Sequence, residues 1–334
     1  MKILIAGLGS IGRRHLRNLL ALGERDILLY RTHHSTLPED ELAPFPVETD
    51  LKMALAHKPD AVIVANPTAL HLAVAIPAAQ AGCHLLLEKP VADKVGPDLN
   101  ALRTAVNAAG VETLVGFQFR FHPVLGQVKA VLDAGKIGRP LSFRAHWGEF
   151  LPGWHPWEDY RQSYAARKDL GGGVVNTLCH PLDYLRWLFG EVGSLFAHTG
   201  QVSDLDIDVE DLAEITLRFE SGVIGSVHLD YFQQPPAHWL EITGTGGRLR
   251  WDNDTGIAKV YYAEENRWEE IAPPGDFERN ALFLAEMAHF LALVRGGGPS
   301  RCSLADGIQS LILTSAVHEA AMLGVMVEIP PQFD

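Results

Sequence analysis

The segment Gly7-Leu8-Gly9-Ser10-Ile11-Gly12 follows directly on the apolar run Lys2 to Ala6, and it limits the fold of this chain more than any other feature. A G-x-G-x-x-G run carries little weight alone; between a strand and a helix it has a definite physical purpose. The first glycine permits a tight turn, the second lets the backbone approach a pyrophosphate, and the third lets the helix pack closely on the sheet. The helix opening at Ser10 and Ile11 then presents free N–H groups and the positive end of its dipole to the phosphates. Gly7, Gly9, Ser10, Ile11 and Gly12 are therefore candidate dinucleotide ligands.

The surrounding pattern predicts a doubly wound α/β domain. Nearly continuous apolar runs at Lys2 to Ala6, Asp26 to Tyr30, Ala61 to Ala65, His84 to Leu87 and Thr113 to Phe117 read as strands. Helical segments separate them at Ile11 to Leu22, Leu51 to His57, Leu70 to Ala81 and Pro97 to Ala109. Strands of this kind are covered on both faces, which implies a parallel sheet with right-handed crossovers. After about residue 120 the period changes. A helix at Pro123 to Ala134 leads to a strand at Leu141 to His146, and Leu195 to Tyr262 reads as successive strands with turns such as Glu220-Ser221-Gly222. Two helices, near Phe277 to Val294 and Leu304 to Leu323, close the chain. The expected fold class is α/β. A Rossmann domain occupies 1–120, and an α+β domain on a largely antiparallel sheet, for substrate binding and oligomerisation, occupies 121–334.

Composition narrows the partners. A net charge of -13 argues against nucleic acid and anionic membranes, because phosphate binding needs a basic face. No apolar stretch is long enough to predict a transmembrane helix. The N-terminus lacks a signal-peptide pattern, since glycines interrupt its apolar run and Arg13 and Arg14 follow. Cys83, Cys179 and Cys302 are scattered and form no C-x-x-C pair, which fits a reducing cytoplasm. None of the 15 histidines has ligand-like spacing, and no metal is expected.

The adenosine end of a dinucleotide is read after the second strand, where an NAD enzyme usually carries Asp or Glu. Here the sequence is Tyr30-Arg31-Thr32-His33-His34, with no acid. Arg31, with Thr32 beside it, suits a 2′-phosphate through charge-assisted hydrogen bonds, so NADP(H) is favoured. The alternative is NAD(H), with Arg31 only stacking on adenine.

Several further motifs join the glycine turn. They are His15; Asn66-Pro67-Thr68 followed by His71; Glu88-Lys89-Pro90; Gly116-Phe117-Gln118-Phe119-Arg120; Gly171-Gly172-Gly173; and His180-Pro181-Leu182-Asp183. Over essentially its whole length the chain resembles the glucose–fructose oxidoreductase and inositol dehydrogenase (Gfo/Idh/MocA) family. The resemblance implies an oxidoreductase that moves hydride between a nicotinamide cofactor and a sugar, sugar acid, polyol or nucleotide-linked sugar. It implies that Asn66, Pro67, Thr68, His71, Glu88 and Lys89 line the cofactor, that Lys89 is catalytic, and that the protein is a homodimer or homotetramer. Many family members carry Asp four residues before the histidine. Here that position is Asn176, which cannot accept a proton from an alcohol.

The chemistry of these residues agrees with the resemblance. Glu88 and Lys89 follow a strand at the carboxyl edge of a parallel sheet, where ligands bind in such folds. An ammonium there stabilises a developing alkoxide. His180 suits general acid/base work near neutrality, and Asp183 lies one helical turn on, able to orient it or to meet substrate. Pro181 predicts a helix that starts late or kinks. Gln118 and Arg120 join Asn176 and Asp183 as candidate substrate ligands. The stretch Trp147 to Lys168 holds Trp147, Trp154, Trp157, Tyr160 and Tyr164, with Glu149, His155, Arg161 and Lys168 as candidate polar contacts. Aromatic faces with polar tips suit a carbohydrate-like ligand, and they equally suit a subunit interface. The alternative to an enzyme is a non-catalytic dinucleotide sensor or regulatory subunit. A third reading is a reductase of a carbonyl or imine in another metabolite.

Overall fold

The first six strands are short and almost wholly buried, and their order explains where the glycine turn points. In the computed structural model, which describes residues 1–32, 40–156 and 158–330, β1 (Ile3–Ala6) leads through Gly7–Gly9 into α1 (Ser10–Ala21). Then come β2 (Ile27–Tyr30), β3 (Val47–Glu48), α2 (Leu51–Ala56), β4 (Ala61–Val64), α3 (His71–Gln80), β5 (His84–Leu87), α4 (Pro97–Ala109) and β6 (Thr113–Val115). The sheet order is β3-β2-β1-β4-β5-β6 and every pair is parallel. Every residue of β1 and β4 is buried, as expected where helices cover both faces. The order turns back between β1 and β4, so the loops after those two strands diverge and leave a crevice at their carboxyl ends.

Two glycines of the turn are fixed by packing. Gly7 has φ +98°, a conformation that favours glycine, and a Cβ there would collide with the backbone of Ala65 and Asn66. A Cβ at Gly12 would collide with the Gly7 carbonyl, which is the close approach of helix to turn expected of the third glycine. His33, His34 and Trp157 lie outside the described residues.

The chain then passes through α5 (Pro123–Asp133), β7 (Pro140–Gly148), α6 (Val174–Thr177) and α7 (His180–Phe189). It goes on to β8 (Val192–Gly200), β9 (Leu212–Phe219), β10 (Ile224–Asp230), β11 (Ala237–Gly244), β12 (Gly247–Asp252), β13 (Ala258–Tyr262) and β14 (Arg267–Ile271). It closes with α8 (Asn280–Val294), α9 (Leu304–Leu323) and β15 (Val327–Glu328). The nine-stranded sheet runs β14-β13-β12-β11-β7-β10-β9-β8-β15 and is mostly antiparallel; β10 and β7 run parallel. Its strands alternate, as in β9, where Ala213, Ile215, Leu217 and Phe219 are buried between more exposed residues.

Contacts divide the chain into two compact units. The first comprises residues 1–118, 169–171 and 279–311; the second comprises 119–168, 172–278 and the chain from Ile312 onward. The sequence pattern misses β3, β14 and β15. Two of these are two-residue edge strands, and β14 has four exposed residues in five. None of them has an apolar period long enough to be seen.

α5 begins with a titratable cap. His122 Nδ1 accepts hydrogen bonds from the N–H groups of Val124 (3.2 Å) and Leu125 (3.3 Å), and Pro123 fills the first helical position. Burial pushes the imidazole pKa down to about 4. Only the neutral ring can accept, so the unfolded chain takes up a proton before the folded one does. This stability is fully present above the unfolded pKa of about 6.5 and is lost as pH falls toward about 4. Chemical denaturation at several pH values should show the wild type losing on the order of 2–3 kcal/mol more over this window than His122→Asn, which keeps a non-titrating cap. Parallel pH profiles for the two proteins would remove His122 as the cause.

Candidate active site

In the first unit the candidate residues gather at the carboxyl edge of the parallel sheet. A Cβ at Gly9 would meet nothing within 4 Å, so protein packing does not explain this glycine. The open space there lies at the N-terminus of α1, where free N–H groups suit a ligand's phosphates. After β4, Asn66 Nδ2 donates to the Leu70 carbonyl at 3.0 Å, while its buried Oδ1 has no partner among the described residues. Pro67 precedes a short turn in which Thr68 is buried. After β2, the Arg31 N–H donates to the Glu48 carbonyl at 3.1 Å; Arg31 is buried and Thr32 exposed. A bound dinucleotide fits this set: an uncollided glycine, a helix N-terminus and an acceptor without a partner among the described residues.

The Glu88-Lys89-Pro90 loop is held from two sides. His71 lies fully buried with Nδ1 2.9 Å from the Pro90 carbonyl and Nε2 2.9 Å from the Asn66 carbonyl, so it ties the loop after β5 to the loop after β4. Burial lowers its pKa against the pull of those carbonyls. On the other side His15 Nε2 donates to Glu88 Oε1 at 2.7 Å. Burial alone would raise the Glu88 pKa; the bond from His15, aided by the charges of His15, Lys89 and His71, holds it below its ordinary value.

A second acid escapes sequence reasoning. Glu286 is completely buried on α8, and neither carboxyl oxygen has a hydrogen-bond partner among the described residues. Burial, then the charge of Glu88, pushes its pKa well above the ordinary value. α8 packs on α1: Asn280 Nδ2 donates to Asn18 Oδ1 at 2.9 Å, and the Arg14 guanidinium sits 4.4 Å over the Phe283 ring. The only signal in the sequence is one acid inside the apolar run from Ala281 to Val294.

In the second unit an aromatic cluster surrounds Phe119. The rings of Trp147, His180, Tyr184, His238 and Trp251 lie 5.0–6.2 Å from it, mostly edge-on. His238 stacks on Trp147 at 4.2 Å and 2°, with Nε2 3.3 Å from the Tyr184 hydroxyl. His238 and Tyr184 were not singled out from sequence; His238 occupies a buried alternate position of β11. His180 is buried at the start of α7, and the break before it, between α6 and α7, is the late start that Pro181 predicts. Asn176 is buried on α6.

Arg120 and Asp183 meet each other. Arg120 Nε and Nη2 donate to the two Asp183 oxygens at 2.9 and 2.8 Å, with both side chains buried. Gln118 is buried at the end of the first unit. Glu149 accepts from Trp147 Nε1 at 2.8 Å. His155 is half-buried and Lys168 exposed. Arg161 is exposed and its guanidinium is engaged by Asp159 at 2.8 Å and by Asp206 at 3.5 Å, so neighbouring acids neutralise its charge.

Comparisons with known proteins agree with this fold. Residues 1–117 match the oxidoreductase family model with an NAD-binding Rossmann fold, and residues 125–250 match the GFO/IDH/MocA C-terminal domain. D-apiose dehydrogenase of Paraburkholderia graminis is 31% identical over 294 residues, covering 83% of this chain and 75% of that protein. Myo-inositol 2-dehydrogenase of Thermotoga maritima is 28% identical over 340 residues, covering 96% of each. A solved levoglucosan dehydrogenase in complex with NADH and levoglucosan superposes with TM-score 0.87 at 22% identity, over 99% of this chain and 100% of that one. That likeness speaks to fold.

The buried Arg120–Asp183 pair makes a stability prediction that needs no substrate. Asp183→Ala leaves a guanidinium buried without its bidentate partner, and such losses cost about 3–5 kcal/mol. Equilibrium denaturation should show a loss of that size. Adding Arg120→Met should recover part of it, so the double variant is more stable than additivity predicts. A single variant within about 1 kcal/mol of wild type would show that the pair does not hold the fold.

Proposed function

The chain belongs to the Gfo/Idh/MocA family of oxidoreductases, and we propose that it is a sugar or polyol dehydrogenase in which Lys89 is the catalytic cation and His180 the acid/base. The observation that carries this reading is the double anchoring of the Glu88–Lys89–Pro90 loop by His15 and His71. A loop fixed this firmly supports a fixed position for Lys89 at the carboxyl edge of the sheet. The nicotinamide supplies a hydride acceptor or donor when it is bound. The chain's own residues do the rest. As hydride leaves the substrate carbon, the hydroxyl proton must leave oxygen; the Lys89 ammonium stabilises the alkoxide that develops, and His180 takes the proton. Asn176 cannot share that proton, so His180 carries the role without a carboxylate from α6. The Arg120–Asp183 pair acts by positioning α7, and Gln118, Glu149, His155 and Asn176 supply substrate contacts. Arg161 is a weaker candidate because Asp159 and Asp206 engage it.

Gly7, Gly9, Ser10, Ile11 and Gly12 hold the pyrophosphate, and Asn66, Pro67 and Thr68 face the nicotinamide end. The adenosine end is assigned to Arg31 and Thr32. The sequence from Tyr30 to His34 holds no acid, and the Arg31 guanidinium is suited to a 2′-phosphate, so the preferred cofactor is NADP(H). Residues 1–120 then serve the cofactor and 121–334 the substrate and subunit contacts, in a homodimer or homotetramer.

Lys89→Ala should reduce turnover with saturating cofactor by about 10²–10³-fold, while dinucleotide affinity stays within several-fold. Near-wild-type turnover would sink the assignment of Lys89.

Calorimetric titration of both cofactors tests the second assignment. NADP(H) should bind more tightly than NAD(H), and Arg31→Ala should weaken NADP(H) about tenfold or more and NAD(H) much less. Equal losses would mean that the side chain only stacks, and tighter NAD(H) binding by the wild type would reverse the preference.

A further inference from the structure

Two histidines 82 positions apart in the sequence stand side by side on the nine-stranded sheet. In the parallel pair β10–β7, His228 is directly opposite His146, and Asp230 is opposite Gly148. All four lie on the sheet face opposite to that of buried Phe143, Ala145 and Trp147. One donor atom from each of His146, His228 and Asp230 lies within 4.8 Å of the others.

The cluster is built rather than incidental. The two imidazoles stack at 4.5 Å and 6°, and Trp239 on β11 stacks on the other side of His146 at 5.4 Å and 1°. The Arg250 guanidinium caps that column, 4.4 Å over Trp239. His228 Nδ1 is 2.6 Å from Glu214 on β9, which leaves Nε2 turned toward Asp230 Oδ2 at 2.9 Å. Asp230, 1% exposed, is itself fixed: its Oδ1 accepts from the N–H groups of Phe232 (2.9 Å) and Gln233 (2.7 Å). Gln233 Oε1 accepts from His146 Nε2 at 2.6 Å. A Cβ at Gly148 would collide with both Asp230 Oδ2 and Gln233 Oε1, so the two oxygens converge over a position that only glycine leaves open.

We propose that His146 Nε2, His228 Nε2, Asp230 Oδ2 and Gln233 Oε1 form a binding site for a divalent transition-metal ion of the zinc type. The donor set decides the class. Two imidazoles with two oxygens suit Zn²⁺ or Co²⁺, whereas Ca²⁺ and Mg²⁺ take oxygen donors, usually six or more for Ca²⁺. Glu214 supplies what a metal-bound histidine usually has, a carboxylate on its other ring nitrogen that fixes tautomer and orientation. The ion takes the place of the protons that now link His228 to Asp230 and His146 to Gln233. A tetrahedral ion with bonds of about 2.1 Å holds its donors about 3.4 Å apart, so side-chain rotations draw the cluster inward while the strand register stays fixed. With four protein donors the site is structural: it clips β7, β10 and the turn after β10 together at the strand ends that lead to Glu149. It stands apart from the hydride chemistry and does not depend on the assignment of Lys89.

The test uses the full chain, freed of metal by a chelator and titrated with Co²⁺, then with competing Zn²⁺. One Co²⁺ per chain should bind, with visible ligand-field absorption of a four-coordinate site. Thermal unfolding should move to higher temperature, and one equivalent of Zn²⁺ should erase the absorption. His146→Asn and His228→Gln should each weaken Co²⁺ at least a hundredfold, and Glu214→Gln about tenfold or more. Circular dichroism checks that each variant is folded; should His228→Gln unfold, His146→Asn and Glu214→Gln carry the test. Absence of stoichiometric binding overturns the proposal. So does binding that these substitutions leave unchanged, which would place the ion on other surface histidines.

Discussion

The carboxyl edge of the parallel sheet depends on one hydrogen bond, from His15 to Glu88, buried at 2.7 Å. A carboxylate out of water is expensive unless it is paired and hydrogen-bonded. Glu88 meets that condition through a residue three positions beyond the glycine turn on α1. The bond therefore links two separately coded elements, the helix whose N-terminus faces the phosphates and the loop that carries Lys89. His71 does the complementary work between the loops after β4 and β5. Between them, the two histidines tie the loop after β5 to α1 and to the loop after β4. The crevice edge is set by side chains, not only by the run of the strands.

The second unit solves its positioning problem differently. Its candidate acid/base, His180, is buried with the rings of Phe119 and Trp147 packed against it at 5.2 and 5.4 Å. Asp183, on the same helix, pairs with Arg120 in a fork geometry that gives direction as well as energy. Asp183 sits one turn along α7 from His180, so the same ion pair that satisfies a buried arginine also fixes the rotation of the helix that presents the histidine. That accounts for two residues with the character of ligands being spent on each other.

Most of the fold was legible because its signals are local. Nearly continuous apolar strands, a glycine turn and alternating later strands reveal a parallel sheet followed by a mostly antiparallel one. His84–Leu87, Pro97–Ala109 and Leu304–Leu323 have the bounds that the pattern predicts. Contacts made by register or by distant helices leave no such trace. The pairing of Arg120 with Asp183 spans 63 positions, and the His146–His228 stack depends on which strands become neighbours. Arg161 shows the converse limit: its charge is plain in sequence, but its neutralisation by Asp206 requires a fold. β3 and β15 exist only because longer strands offer them an edge.

The first unit holds two buried glutamates in unlike surroundings. Glu88 and Glu286 each raise the cost of ionising the other, and both are cut off from water. His15 breaks the tie. It donates to Glu88, while among the described residues neither Glu286 oxygen has a partner, so ionisation is favoured at Glu88 and disfavoured at Glu286. Glu286 comes from α8, nearly 200 residues further along the chain, in a segment that returns to the first unit. Three elements together bear on the charge next to Lys89: α1 supplies the donor, the loop after β5 supplies the carboxylate, and α8 supplies a neighbour whose ionisation is disfavoured. A motif of three residues, Glu88-Lys89-Pro90, works only inside a unit that the far end of the chain completes.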